Sequence, residues 1–132
     1  MLYALLAYHE EQIIQDLSED DDAGLMEGLQ RVHGAWTEAR VLGPAARLGA
    51  TSLAATVRAG GLVVDGPFAE TKEALLGFYV IDCETFEAAV ARAAELQVAN
   101  PGAVYEVRPI VLFRPGAAFP ETDAGTALVR PG

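Results

Sequence analysis

The sequence is poor in the side chains from which proteins build metal and redox sites. Its 132 residues include one cysteine, Cys83, and two histidines, His9 and His33. A single cysteine excludes a disulfide within the chain and fits a reducing compartment. Two histidines and one thiol argue against a dedicated zinc site. We therefore expect a protein that uses neither a metal ion nor another cofactor.

Basic residues and long apolar runs are also scarce. Nine Lys and Arg stand against 19 Asp and Glu, which gives a formal net charge of −10. A surface of this sign repels a phosphate backbone and argues against nucleic-acid binding. The N-terminal apolar run is only seven residues long before His9, too short for a membrane span, and it lacks the basic flank of a signal peptide. We expect a cytoplasmic protein that does not bind membranes.

Several short motifs of enzyme classes are missing from the sequence. The chain contains no P-loop, no G-x-G-x-x-G segment, no H-E-x-x-H and no C-x-x-C. The G-x-S-x-G elbow of serine hydrolases is absent too. Any catalytic function must therefore rest on residues that are scattered along the chain.

Two segments carry the apolar spacing of amphipathic helices. Ser18 and Asp21 form a capping-box pattern at the start of the first helix, and the acidic residues 19–22 suit the positive end of its dipole. Apolar residues then recur at helical spacing, at Leu25, Leu29, Val32, Trp36 and Ala39. Gly43-Pro44 is predicted to end this helix, since Gly suits a left-handed cap and Pro cannot continue a helix. A second helix is predicted over about residues 84–98.

The other apolar segments predict strands. They cover residues 2–8, 52–58, 62–64, 76–81 and 104–112. Gly60-Gly61 joins the second and third of them into a hairpin. We interpret the order as the βαββαβ pattern of a ferredoxin-like α+β plait, with both helices on one face of an antiparallel sheet. Residues 1–113 make up the predicted domain, and residues 114–132, rich in Pro and Gly, a C-terminal tail.

The predicted sheet has a second face that no helix covers. Residues 2–8 are apolar on both sides of their strand, and Phe78 and Val80 add apolar side chains to one side of the fourth strand. Burial by a second copy of the same sheet accounts for this, since symmetric dimers are the commonest oligomers. We predict a homodimer whose sheets form an α-β barrel around an enclosed space. Glu106 and Arg108 point towards that space, either as an ion pair or as interface or ligand contacts.

Three stretches of the sequence resemble the YCII-related, DGPF-motif family. Residues 63–82, VVDGPFAETKEALLGFYVID, resemble its signature, and the opening MLYALLAYHEE and residues 105–113, YEVRPIVLF, are similar to its first and last strands. The resemblance covers about residues 1–113 and implies a dimeric ferredoxin-like α-β barrel, similar to that of muconolactone isomerases. It also implies a small-molecule function, because some YCII-like members are lyases or dehydrochlorinases that use a His-Asp pair on small cyclic compounds. DGPF members are often encoded beside extracytoplasmic-function sigma factors.

The resemblance directs attention to one carboxylate and one imidazole as candidate catalytic residues. Asp65 is the aspartate of the DGPF string, and His33 lies in the first helix, as the family's histidine does, at a different spacing from the following Gly-Pro. Asp65 would act as a general base or orient one, and His33 would be its acid-base partner. Alternatively, Asp65 caps its own turn through an Asx-type hydrogen bond, and His33 is a half-buried residue beside the apolar stripe of its helix.

Four further residues are candidates for ligand binding. Arg108 is the predicted anion clamp, with Glu106 next to it on the same side of the last strand. Lys72 pairs with an acidic ligand or with Glu106, or is an ordinary solvated residue of its loop. Tyr79 contacts a ligand, or is a core residue whose hydroxyl has a partner within the chain.

These residues support three hypotheses about function. The first is a cofactor-free lyase or isomerase that moves a proton on a small cyclic or phenolic compound. The second is a non-enzymatic module that binds a small ligand or a sigma-factor-related regulatory partner, for which the acidic surface would provide charge complementarity. In the third, the DGPF string only fixes a turn at the dimer interface.

Overall fold

The computed structural model describes residues 1–117 of the chain. Its elements are, in order, β1 (Leu2–Glu10), α1 (Glu11–Gln15), α2 (Glu19–Glu38), β2 (Leu42–Arg47), β3 (Ala55–Val57), β4 (Val63–Asp65), β5 (Glu73–Asp82), α3 (Phe86–Ala99) and β6 (Val104–Pro109). None of the helices in this range has both the length and the apolar character needed to cross a membrane. Most of the predicted C-terminal tail, residues 118–132, lies outside the described residues.

Four of the strands form one antiparallel sheet, in the order β2-β5-β1-β6. When only these four strands are numbered along the chain, their order in the sheet is 2-3-1-4, which is the strand order of a ferredoxin-like plait. The predicted α+β plait is therefore confirmed. Helices α2 and α3 pack on one face, where Leu5 and Ile81 of the sheet meet Trp36 of α2 and Leu96 of α3 in the buried core.

The start of α2 follows the capping rules that the sequence indicates. Ser18 is the N-cap, and its hydroxyl accepts a hydrogen bond from the backbone N–H of Asp21 at 3.1 Å. The first turn consists of Glu19 and three aspartates, whose negative charge lies at the positive end of the helix dipole. This end of the helix is thus fixed by local chemistry.

The end of α2 differs from the prediction. The helix stops at Glu38, and Arg40 takes a left-handed conformation with φ 59°. The N–H of Val41 donates to the carbonyl of Trp36 and the N–H of Arg40 to that of Thr37, which is the hydrogen-bond pattern of a Schellman motif. The expected stop at Gly43-Pro44 was wrong, because a non-glycine residue adopts the left-handed cap three residues earlier.

The segment that was expected to end the first helix instead forms the second strand of the sheet. Strand β2 pairs with β5 through Leu42 and Ile81, and the register shifts before Ala45 pairs with Tyr79. The shift absorbs Gly43 and Pro44 as a bulge. Proline is tolerated at a bulge and on an edge strand, where a missing N–H donor leaves no central ladder bond unmade, and β2 is an edge strand.

The predicted hairpin is present, but it lies outside the main sheet. Strands β3 and β4 pair only with each other in a two-stranded sheet. Gly60 and Gly61 both have positive φ, 76° and 80°, which makes glycine the suitable residue in this turn. The prediction of a strand over residues 52–58 was too long, since residues 51–53 form a 3-10 turn.

Three other boundaries moved. Strand β5 begins at Glu73 and not at residue 76. Helix α3 begins at Phe86, after Thr85 as N-cap, whose side chain accepts from the N–H of Ala88 at 3.1 Å. Strand β6 ends at Pro109 and not at residue 112, and Pro109 has no N–H to donate.

Candidate functional site

The face of the sheet opposite the helices is largely apolar. Residues that pair directly across an antiparallel ladder point to the same side, so Ala4 and Leu6 of β1 share a side with Val80 and Phe78 of β5. The helix-facing residues of β1 alternate with them, and among these Tyr3 and Leu5 are buried. Within residues 1–117 no helix covers the first set, and these side chains are only partly buried. We call this surface the open face.

An ion pair of strand β6 lies on the open face. Arg108 pairs with Ala4 and Glu106 with Leu6, which places both charged residues on the side that the sequence predicts. The guanidinium Nε of Arg108 donates to a carboxylate oxygen of Glu106. The hydrogen bond and the charge of Glu106 raise the pKa of Arg108, and the nearby Tyr8 adds to this. Both side chains remain accessible, so a ligand can reach the guanidinium.

His33 and Tyr79 meet on the other side of the sheet. His33 Nε2 lies 2.8 Å from the hydroxyl of Tyr79, and the two rings are tilted with centroids 5.3 Å apart. Tyr79 pairs with Leu5 and also contacts Trp36 edge-on, so it belongs to the helix side. Burial raises the pKa of Tyr79 to about 12, with a contribution from Tyr105. Burial lowers the pKa of His33, so near neutral pH a protonated phenol faces a neutral imidazole.

The sheet therefore separates two of the predicted groups. Arg108 and Glu106 lie on the open face, whereas His33 and Tyr79 lie between the sheet and α2. A small ligand cannot touch both groups within one chain. In the described part of the molecule, neither hydrogen bond nor ion pair joins Asp65 to His33 or to Arg108.

Asp65 is the last residue of β4, and its side chain is exposed. Among residues 1–117 its carboxylate has no hydrogen-bond partner, so the turn is held by other groups. The N–H of Gly66 donates to the carbonyl of Ala54 at 2.7 Å, and the hydroxyl of Thr56 donates to the carbonyl of Gly66 at 2.9 Å. Gly66 has φ 99°, a conformation that favours glycine. The carboxylate of Asp65 is thus available to solvent or to a ligand.

A pocket of about 330 Å³ adjoins the turn of the DGPF string. Gly66 and Pro67 of that string line it, together with Glu11 and Thr51. The carboxylate of Glu11 accepts hydrogen bonds from the hydroxyl of Thr51 at 2.5 Å and from its N–H at 2.8 Å, and these bonds lower the pKa of Glu11. No sequence pattern indicates this pair, because the residues are 40 positions apart and neither belongs to a motif.

Lys72 pairs with Glu10 and not with Glu106, the partner within the chain that the sequence suggested. Its ammonium lies 2.9 Å from the carboxylate of Glu10, at the end of β1. The hydrogen bond and charge of Glu10, with a smaller contribution from Glu73, raise the pKa of Lys72. The side chain is well exposed, and its role in ligand binding stays a prediction. No cluster of three or more His, Cys, Asp or Glu side chains suited to a metal ion occurs where the structure is described.

The strand order, the two covering helices and the apolar open face define a ferredoxin-like α+β domain. Comparison with known proteins specifies the family: the model of the YCII-related domain matches residues 1–114. An uncharacterized protein of Rhizobium meliloti (strain 1021) is 48% identical over 120 residues, which cover 88% of this chain and 97% of the relative. The chain belongs to the YCII-related family.

Proposed function

We propose that two copies of the chain close over their open faces and enclose a chamber for a small molecule. In that chamber the protein moves a proton on a small cyclic or phenolic compound, without a cofactor, as a lyase or an isomerase. The observation that carries the proposal is the Glu106–Arg108 ion pair, which lies beside the apolar residues Ala4, Leu6 and Phe78 of the uncovered sheet face.

The apolar open face supports the dimer. Soluble monomers rarely leave more than a few hundred Å² of contiguous apolar surface exposed, and larger patches mark interfaces or ligand sites. Leu6, Phe78 and Val80 stand side by side on this face. Two sheets that face each other pack about 10 Å apart, which leaves room for a ring-sized ligand where the side chains are short.

Arg108 is the proposed anion clamp of the chamber. Its guanidinium presents donors in a planar fork that matches a carboxylate or a phenolate. Glu106 occupies part of that fork in the absence of a ligand. An anionic ligand would displace Glu106 and lay its ring on the neighbouring apolar side chains.

Asp65 is the proposed proton acceptor. The proposal is supported by its exposed carboxylate, by the absence of an internal partner among residues 1–117, and by its place in the DGPF string. His33 lies behind the sheet and donates to or accepts from Tyr79. We therefore give His33 and Tyr79 a positioning role in this proposal, in which they hold β5 against α2.

The test is a screen of small phenolic and cyclic carboxylic acids for binding and turnover, followed by variants of the two charged groups. Arg108→Gln is expected to weaken binding of an anionic hit by about tenfold or more, because a charge-assisted hydrogen bond is lost. Arg31→Gln, at an exposed position of α2, is the matched control and should leave binding unchanged. Asp65→Asn should abolish turnover and retain binding. A hit that is turned over equally well by Asp65→Asn removes Asp65 from the mechanism.

A non-enzymatic role as a partner-binding module is the second candidate. Glu19, Asp20 and Asp21 are exposed at the start of α2, and within the described residues they form no ion pair. Such a group of charges suits a basic surface of a sigma-factor-related partner. Titration of the purified partner should give salt-dependent affinity that falls in a Glu19→Gln, Asp20→Asn variant. Equal affinity of the variant and the original chain would count against this role.

A further inference from the structure

A second pocket lies on the helix side of the sheet, at the end of β1. Its volume is about 230 Å³. Its apolar walls come from α1, from α2 and from the segment between them, and include Ile13, Ile14, Leu17 and Leu25. Two polar residues, His9 and Asn100, also line it. We call this cavity the His9 pocket. It belongs to neither the open face nor the turn of the DGPF string.

His9 is buried, with 6% of its surface exposed, and within residues 1–117 it is the only ionisable polar side chain outside the hydrophobic core that is so deeply buried. Its Nδ1 lies 3.1 Å from the backbone carbonyl oxygen of Glu10. A carbonyl oxygen only accepts hydrogen bonds, so Nδ1 carries the proton in this contact. In the neutral ring Nε2 is then left with a lone pair.

The Nε2 atom has no hydrogen-bond partner within the described residues, although it is reachable. Every fully buried side-chain nitrogen or oxygen in that part of the chain has a partner, so Nε2 keeps some accessible surface, and His9 is one of the residues that line the pocket. Gly102 packs against the ring, and a Cβ at this position would come within 2.6 Å of Nε2. Glycine at 102 thus keeps this nitrogen free of steric cover.

The second polar residue of the pocket is already engaged. The side-chain amide of Asn100 donates to the hydroxyl of Tyr105 at 3.2 Å, which leaves its carbonyl oxygen as an acceptor. Both polar groups therefore offer a lone pair, and the amide of Asn100 keeps one further N–H. A ligand that pairs with Nε2 of His9 must bring a hydrogen-bond donor, a hydroxyl can satisfy either group of Asn100, and the apolar walls disfavour a charged ligand.

We propose that the His9 pocket binds a small, uncharged, mostly apolar molecule with one hydroxyl group, which donates to Nε2 of His9. A cavity of about 150 Å³ lined by apolar side chains is large enough to bind benzene, so this pocket has room for a phenol-sized ring. The site is separate from the proposed chamber, because the chamber lies on the other side of the sheet.

The experiment uses the full chain labelled with ¹⁵N, titrated with phenol and with toluene, which has nearly the same size and no hydroxyl. Phenol is expected to shift the ring resonances of His9 and to saturate, and toluene to bind about three- to tenfold more weakly. Equal affinities for the two compounds would overturn the assignment of Nε2 as acceptor. Phenol shifts that spare His9 and the pocket walls would overturn the site itself.

Two variants distinguish the contribution of the His9 Nε2 atom to binding from that of the cavity volume. His9→Phe keeps a ring of similar size and removes the acceptor, so the preference for phenol over toluene should disappear. Ile13→Trp fills the pocket from a partly exposed wall and retains His9, so binding of both compounds should be lost. Val98→Trp, which adds the same ring at an exposed position of α3 that does not line the pocket, is the control and should bind phenol normally. Unchanged phenol binding in Ile13→Trp contradicts the proposal even if His9→Phe does not fold.

Discussion

At the scale of single residues, burial determines how the polar groups of this protein behave. His33 and Tyr79 share a hydrogen bond of 2.8 Å under α2. Burial lowers the pKa of His33 and raises the pKa of Tyr79, and both shifts favour the neutral form of the side chain. Glu106 and Arg108 remain charged on the accessible open face. The same sheet thus presents a neutral polar pair on one side and an ion pair on the other.

The lowered pKa of His33 predicts a pH-dependent stability. In the unfolded chain His33 has its ordinary pKa of 6.5, and in the folded chain its pKa is lower. At pH values between these two pKa values the unfolded chain therefore binds more protons than the folded chain. Stability should therefore be fully present above about pH 6.5 and fall as the pH drops through this window. Urea unfolding of the original chain and of His33→Gln measures this, and the variant should show a flatter pH profile. Both proteins keep His9, so identical profiles would show that His33 contributes nothing.

At the scale of elements, two backbone positions allow strand β2 to follow α2 and to pair closely with β5. Arg40 ends α2 in a left-handed conformation that costs an L-residue with a side chain about 1–2 kcal/mol. Gly77 lets β2 approach β5, because a Cβ there would lie 2.8 Å from the carbonyl oxygen of Ala46. Both positions serve the edge strand β2.

Arg40→Gly is expected to stabilise the protein. Glycine removes the left-handed strain, and the gain is partly offset by the greater freedom of the unfolded chain, which leaves about 0.5–1 kcal/mol. Chemical denaturation measures the change. The same substitution at Arg31, in the exposed interior of α2, should destabilise by about 1 kcal/mol. A loss of stability at both positions would argue against the left-handed cap.

Gly77→Ala is expected to destabilise the protein by about 1–3 kcal/mol, since the added methyl group forces β2 and β5 apart. The matched control is Gly24→Ala in α2, where a Cβ meets nothing within 4 Å. There alanine should stabilise by about 0.5–1 kcal/mol through its helix propensity. Thermal unfolding of both variants provides the comparison, and a tolerated alanine at 77 would contradict the close approach of the two strands.

At the scale of the whole molecule, the open face determines what the fold can do. Helices α2 and α3 bury one side of the sheet, and the other side keeps its apolar residues without cover within residues 1–117. The proposed dimer and its chamber follow from this single feature.

Phe78→Asp tests the proposed dimer. A charge on the open face would be buried without a partner in the dimer, so the variant should sediment as a folded monomer whereas the original chain sediments as a dimer. Val98→Asp is the control and should remain dimeric, because Val98 lies on α3, away from the open face, and is 79% exposed. An original chain that sediments as a monomer would remove the basis of the chamber.

Much of the fold was predictable, because it rests on local chemistry. Ser18 caps α2, Gly60 and Gly61 close the hairpin, and the alternation along β6 places Glu106 and Arg108 away from the helices. Segment 42–47 was not predictable in this way. Its Gly-Pro pair is a helix-stop signal, and only the pairing with β5 and the tolerance of an edge strand for proline make it a strand.

The sequence by itself determined the ferredoxin-like plait and the two faces of the sheet, because capping, glycine turns and apolar periodicity act between neighbours along the chain. The family was indicated by the resemblance of residues 63–82 to the DGPF signature. The tertiary structure alone decided which polar groups meet. His33 and Tyr79 are 46 positions apart, Glu11 and Thr51 are 40 apart, and the pocket around His9 needs residues from β1, α1, α2 and the turn after α3. Contacts between such distant segments depend on packing, for which no short stretch of sequence carries a signal.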